Sequence, residues 1–184
     1  MSKISVFMAD GSEEVECLAV VDVARRAGIE VQTVSVTGRP EITSSHGVRI
    51  AADVLFEDAE FESSDILYLP GGMPGTENLY AHQGLCELVR RFAAEGKRVA
   101  ALCAAPSVLG RLGLLDGRTA TCHPGWEDKL LGAEYPRQGV VTDGNITTGR
   151  GVGFAIDMGL ELVRLLKGDE FAADLRRRVQ YPGC

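Results

Sequence analysis

Lys97-Arg98-Val99-Ala100-Ala101-Leu102-Cys103-Ala104-Ala105-Pro106 is the stretch whose reading decides the fold. An apolar run suited to a buried strand stops on a cysteine. Small residues and a proline follow, then a helix-like pattern from Ser107 to Leu112. Proline suits a first helical turn, where its missing N–H has no intrahelical partner to lose. Cys103 therefore falls at a strand-to-helix corner, its sulfur near the positive end of the new helix, a position that favours thiolate over thiol. Ala104 and Ala105 are small enough for another group to approach closely, the arrangement of a nucleophile elbow with cysteine in place of serine. The same ten residues also suit a packing cysteine, since free cysteine is among the most buried residue types.

Outward from this corner, strand-like and helix-like segments alternate. Ile4–Met8 reads as a buried strand and Ala9–Ser12 as a turn. Glu13–Ala27 carries Val15, Leu18, Ala19 and Val23 at helical spacing and stops at Gly28, a good residue just past a helix end. Glu30–Val36 and Asp65–Leu69 read as strands, Ile42–Ile50 as a hairpin broken at His46-Gly47, and Leu85–Glu95 as a helix ending at Gly96. Thr119–Cys122 and Val140–Thr148 read as further strands, with helices over Phe154–Leu166 and Asp169–Arg178. Such alternation implies a mostly parallel sheet covered by helices on both faces. With no repeat and no linker-like tract, the 184 residues are expected to form one domain.

In that architecture ligands bind beyond the carboxyl ends of the strands. Three loops belong there: Ala9–Ser12 with the acidic start Glu13-Glu14-Val15-Glu16, then Pro70-Gly71-Gly72, then Cys103. Their convergence raises the catalytic reading of Cys103 above that of a filler. Gly71 and Gly72 leave backbone N–H groups uncovered, and with the N–H of Ala104 they make an expected oxyanion site; a plain tight turn is the alternative. Glu13 and Glu14 suit an ordinary first turn. Glu16, one turn on and beside the apolar stripe, is expected to point inward, where a carboxyl next to a thiolate stays protonated and shuttles a proton. His123, in Cys122-His123-Pro124, is a candidate base. His46 and His82 fall in loops. Cys17 and Cys122 are candidate resolving thiols, with inert packing the plainer reading.

Composition sets the limits. A net charge of −7 argues against nucleic acid or an anionic membrane as partner. No apolar stretch approaches the roughly 20 residues that span a bilayer. The chain start lacks a signal-peptide pattern, so the expected location is cytoplasmic. The five cysteines, 17, 86, 103, 122 and 184, contain no C-x-x-C pair and are expected to be free thiols rather than disulfides or zinc ligands. Gly149-Arg150-Gly151-Val152-Gly153 lacks the ending of a phosphate loop and reads as a tight helix entry. No pattern resembles a metal site, and the chemistry is expected to need no cofactor.

Taken together, Gly11-Ser12-Glu13-Glu14-Val15-Glu16, Leu69-Pro70-Gly71-Gly72, Ala101-Leu102-Cys103-Ala104-Ala105-Pro106 and His123-Pro124 resemble the ThiJ/PfpI superfamily over essentially the whole chain. The match is nearest to the branch of the parkinsonism-associated protein deglycase and its bacterial ThiJ-like relatives. The resemblance implies a flavodoxin-like three-layer sandwich of the class I glutamine-amidotransferase-like kind and a homodimer. It implies Cys103 as elbow nucleophile, Glu16 as the protonated acid at its sulfur, His123 as the neighbouring histidine, and Gly72 and Ala104 as oxyanion donors. It also implies glutathione-independent conversion of glyoxals to hydroxy acids and removal of early glycation adducts from proteins, so the expected substrate is a small aldehyde or a glycated protein. Oxidative-stress sensing through Cys103 sulfinate and chaperone action are alternatives, and an intracellular cysteine peptidase or amidase is a third. The chain departs from the family's common Cys-Ala-Gly-Pro at Ala105. His46 stands where a relative carries an arginine, and no acidic residue is placed to orient His123, which counts against a peptidase triad.

Overall fold

The computed structural model describes residues 2–182, so the expectation for Cys184 lies outside the described residues. In chain order the elements are β1 (Lys3–Met8), α1 (Glu14–Arg26), β2 (Glu30–Ser35), β3 (Glu41–Thr43), β4 (Arg49–Ala51), β5 (Val54–Leu55), β6 (Ile66–Leu69) and α2 (Gly75–Ala81). There follow α3 (Gln83–Ala94), β7 (Arg98–Leu102), α4 (Pro106–Arg111), β8 (Val140–Asp143), β9 (Ile146–Gly149), α5 (Ala155–Lys167) and α6 (Asp169–Arg178). Seven strands form one sheet in the order β5-β2-β1-β6-β7-β9-β8, parallel except for β8, which runs antiparallel to β9. This is the mostly parallel, helix-covered sheet that the alternating pattern implies, in the flavodoxin-like α/β sandwich that the resemblance implies.

Strand alternation divides the core. Ile4, Val6, Met8, Tyr68, Ala100 and Leu102 face one layer with α1, α5 and α6. Phe7, Ala9, Leu67, Leu69, Val99 and Ala101 face the other with α2, α3 and α4. Burial on both sides is why these strands read as continuous apolar runs. The chain leaves β1 toward β2 and β5, then returns on β1's other flank as β6. The carboxyl ends of β1, β6 and β7 therefore border the crevice where such sheets bind ligands.

Helix α1 ends as its sequence suggests. Gly28, at φ 68, follows the C-cap Ala27, and the N–H groups of Gly28 and Ile29 return to the carbonyls of Arg25 and Ala24. The hairpin of β3 and β4 turns through the expected His46-Gly47 region. Two expectations change. Val140–Thr148 is not one strand but a hairpin, folding at Gly144 (φ 61) with Asp143 paired to Ile146. Thr119–Cys122 is not a strand: only Thr119 makes an isolated bridge, to Glu134. Thr121 instead spends its polar groups on the Thr148 hydroxyl and the Gln138 carbonyl. Helix α2 was not legible, because it follows Pro74 directly and begins on Gly75, both weak helix signals; Gly75 is needed where a Cβ would overlap the backbone of Gly11 and Ser12. Among the described residues no helix is long and apolar enough to cross a membrane.

Candidate functional site

Cys103 follows β7 directly and holds φ 63, in the left-handed region that a non-glycine side chain avoids at a cost of about 1–2 kcal/mol. Both its peptide groups are engaged: its N–H donates to the Gly149 carbonyl at 2.9 Å, and its carbonyl accepts from the His123 N–H at 2.8 Å. The turn is thus fixed from two neighbouring segments, and the half-buried sulfur is offered to the crevice. The backbone N–H groups of Ala104 and Gly72 act on it and favour its charged form.

Glu16 is fully buried in α1. Glu13 caps the helix, its carboxylate accepting the Glu16 N–H at 2.7 Å, and the buried Tyr68 hydroxyl donates to the Glu16 carbonyl at 3.0 Å. These two contacts orient Glu16 from either side, and no local pattern in the chain points to Tyr68. Oε2 of Glu16 accepts from the Gly71 N–H at 2.8 Å, whereas Oε1 is buried with no hydrogen-bond partner among the described residues; the Cys103 thiol and the Glu13 carboxylate are the other groups that act on the carboxyl. Burial raises Glu16 from 4.5 to about 7, against the pull of the Gly71 N–H and the thiol.

The thiol departs from the sequence expectation of a lowered pKa. Burial, then the Glu16 carboxylate, push Cys103 up to about 12, and the N–H groups of Ala104 and Gly72 oppose them without prevailing. The helix that follows, α4, has six residues and a correspondingly small dipole, so it cannot outweigh an adjacent carboxylate. Gly71 separates the partners: a Cβ there would lie 2.7 Å from Cys103 Cβ and 2.8 Å from Glu16 Oε2. Gly71→Ala is expected to destabilise the protein by about 1–3 kcal/mol in equilibrium unfolding. Gly72, at φ 88, is equally constrained, since a Cβ would overlap the Glu13 backbone nitrogen.

His123 is at the site but not in a triad. Its Nδ1 lies 2.9 Å from the Pro124 carbonyl, which can only accept; Nδ1 therefore carries the hydrogen and leaves Nε2 free to accept. The other histidines have separate duties. His82 caps α3 by accepting the Leu85 N–H at 3.0 Å. His46 lies 3.0 Å from Glu14 and 4.0 Å from Glu13, whose carboxylates are mostly buried. One donor atom from each of Glu13, Glu14 and His46 falls within 4.8 Å of the others, a grouping that sequence spacing did not reveal. The N–H of Ser45, beside His46, donates to the Ser12 carbonyl at 2.9 Å, tying the hairpin to the loop that leads into α1. Cys17 and Cys122 are buried, and burial raises both thiols, Cys122 to about 12, as expected of packing cysteines.

A sequence model described as the DJ-1/PfpI family matches residues 2–165. The Parkinson disease protein 7 homolog of Danio rerio is 36% identical over 175 residues, covering 93% of this chain and 93% of that protein. A deglycase of Pyrococcus abyssi is 32% identical over 167 residues, covering 90% of this chain and 99% of the relative. The chain spans 40% of the length of DJ-1 homolog B of Arabidopsis thaliana, to which it is 35% identical. Among solved structures, oxidized DJ-1 of Toxoplasma gondii superposes with a TM-score of 0.95 at 34% identity, covering 99% of this chain and 100% of that one.

Proposed function

The chain belongs to the DJ-1/PfpI family, and from that premise we propose that it is a cofactor-independent cysteine enzyme of the deglycase and glutathione-independent glyoxalase type. Its substrates are small reactive carbonyls and the early adducts they form on proteins. The observation that carries this reading is the buried neighbourhood of Glu16 and Cys103, with the N–H groups of Ala104 and Gly72 at the sulfur. Two adjacent negative charges in a dry site oppose one another, so the pair keeps one proton near neutral pH. When the carboxyl holds that proton, the sulfur is a thiolate resting on two backbone donors.

The thiolate attacks the aldehyde carbon of methylglyoxal while the Glu16 proton passes to the aldehyde oxygen, forming a hemithioacetal. Glu16, now a carboxylate, takes the hydrogen from that carbon as a proton and returns it to the adjacent ketone carbon, and the hydroxyl proton moves to the former ketone oxygen. The attacked carbon is oxidised to the acyl level as its neighbour is reduced to an alcohol, so no external oxidant enters. Water then hydrolyses the lactyl thioester and frees Cys103. The N–H groups of Gly72 and Ala104 hold the developing oxyanion. The test is lactate formation from methylglyoxal without glutathione: turnover lost in Cys103→Ala supports the assignment, and no turnover by the folded native protein overturns it.

A sensor role is the second reading, favoured by the Toxoplasma gondii relative, whose structure is described as oxidized. In that role Glu16 hydrogen-bonds a Cys103 sulfinate, and Glu16→Gln mainly destabilises the oxidised product. A peptidase reading has less support, because His123 Nδ1 is held by a carbonyl rather than a carboxylate. The free thiols at 17, 86, 103 and 122 suit a reducing, cytoplasmic location.

The proposed assembly is a homodimer. Val15 and Leu18 on α1 and Ile156 on α5 are exposed large hydrophobics, and Ile156 shares a surface pocket with Ala19 and Val23 of α1. Burying that face against a second copy removes apolar area from water. Sedimentation velocity at micromolar concentration should give twice the chain mass for the native protein, and the chain mass alone for a variant carrying Val15→Glu and Leu18→Glu.

A further inference from the structure

The glycine-rich entry to α5 has a part that neither the fold nor the mechanism requires. Gly149-Arg150-Gly151 leaves β9 beside the elbow, anchored there by the Cys103 N–H bond to the Gly149 carbonyl. Gly151 has φ 163 and ψ −174, extended backbone that any residue adopts, so its lack of a side chain is not a conformational need. Nor is it a packing need. A Cβ at Gly151 would lie 3.6 Å from His123 Cδ2 and 4.0 Å from Cys103 Sγ, ordinary van der Waals contact. Gly71, Gly72 and Gly75 differ, since a Cβ on any of them would collide with backbone or site atoms. The space that a side chain at 151 would fill adjoins the sulfur on one side and the imidazole edge on the other.

We propose that Gly151 is a specificity-determining residue: its missing side chain keeps open the subsite between Cys103 Sγ and the His123 ring that receives the substituent carried by the dicarbonyl substrate. The proposal rests on the carbonyl-directed reading given above. A hydrogen or methyl substituent leaves room for a small residue at 151, whereas an aryl substituent needs the whole space. Size exclusion in a site of this kind is worth roughly 10–200-fold in kcat/KM per methylene-sized change.

The test compares glyoxal, methylglyoxal and phenylglyoxal with the native protein, Gly151→Ala and Gly151→Val. The expected result is that Gly151→Val lowers kcat/KM for phenylglyoxal about tenfold or more relative to glyoxal, with Gly151→Ala between. Equal losses for all three substrates in the milder Gly151→Ala, or no change in their ratios in either variant, would overturn the proposal. Alkylation of Cys103 by iodoacetamide and by the bulkier N-phenylmaleimide gives a readout independent of turnover. If the native protein turns over no glyoxal, the enzymatic reading fails. A selective slowing of N-phenylmaleimide in Gly151→Val then still supports the subsite, and an unchanged ratio of the two rates refutes it.

Discussion

Cys103→Ala should remove methylglyoxal conversion, lowering kcat/KM by about 10⁴-fold or more, with little effect on folding. The size of the loss follows from the role: without sulfur no hemithioacetal forms, and Glu16 has no carbon acid to work on. The small structural effect follows from geometry. The bonds that fix residue 103 are backbone bonds, to Gly149 and His123, and alanine keeps both. Equilibrium unfolding of Cys103→Ala should therefore stay within about 1 kcal/mol of the native protein. Cys103→Gly should be equally inactive yet more stable by up to about 1 kcal/mol, because glycine occupies φ 63 without strain. A Cys103→Ala protein that still produced lactate at the native rate would exclude this sulfur as the nucleophile.

Glu16→Gln has the second large effect, about 10²–10⁴-fold in turnover, the usual contribution of a positioned proton carrier. The amide can still accept the Gly71 N–H, so the loop keeps its support, and Cys103 should still be alkylated. The stability signature has a defined sign. Glu16 titrates at about 7 in the folded protein against 4.5 when unfolded, so between these values the folded state binds the extra proton. The native protein incurs no penalty below pH 4.5 and the full one, about 3 kcal/mol, above pH 7. Unfolding free energies measured from pH 4 to pH 8 should thus fall for the native protein relative to Glu16→Gln. Parallel curves would mean that Glu16 is not buried as an acid.

The elbow was legible because its signals are local: an apolar run, a cysteine, small residues and a proline in ten positions. Glu16 was legible because its place on α1 puts it beside a strongly periodic apolar stripe, and Gly28 because a glycine just past such a stripe ends helices in one way. Other features needed tertiary information. The Asp143-Gly144 pair was a usable turn signal, overridden by the apolar residues on either side of it. Thr119–Cys122 has the composition of a strand but meets the Thr148 side chain instead of a ladder. The Cys103 shift is set first by burial and then by a carboxylate 87 positions earlier in the chain, and no local rule weighs these against a helix end. Gly151 reads as a helix entry and is one, but only the fold shows that the space beside it adjoins the sulfur.

The central claim is that Glu16 and Cys103 share one proton, and the pH dependence of Cys103 alkylation by iodoacetamide tests it most directly. In the native protein the rate should rise through neutrality, because the coupled pair loses its first proton there and a proton held on Glu16 leaves part of the sulfur as thiolate. Glu16→Gln should remove that inflection. A native rate that stays flat through neutrality and climbs only above pH 9, with the same profile in Glu16→Gln, would contradict the account.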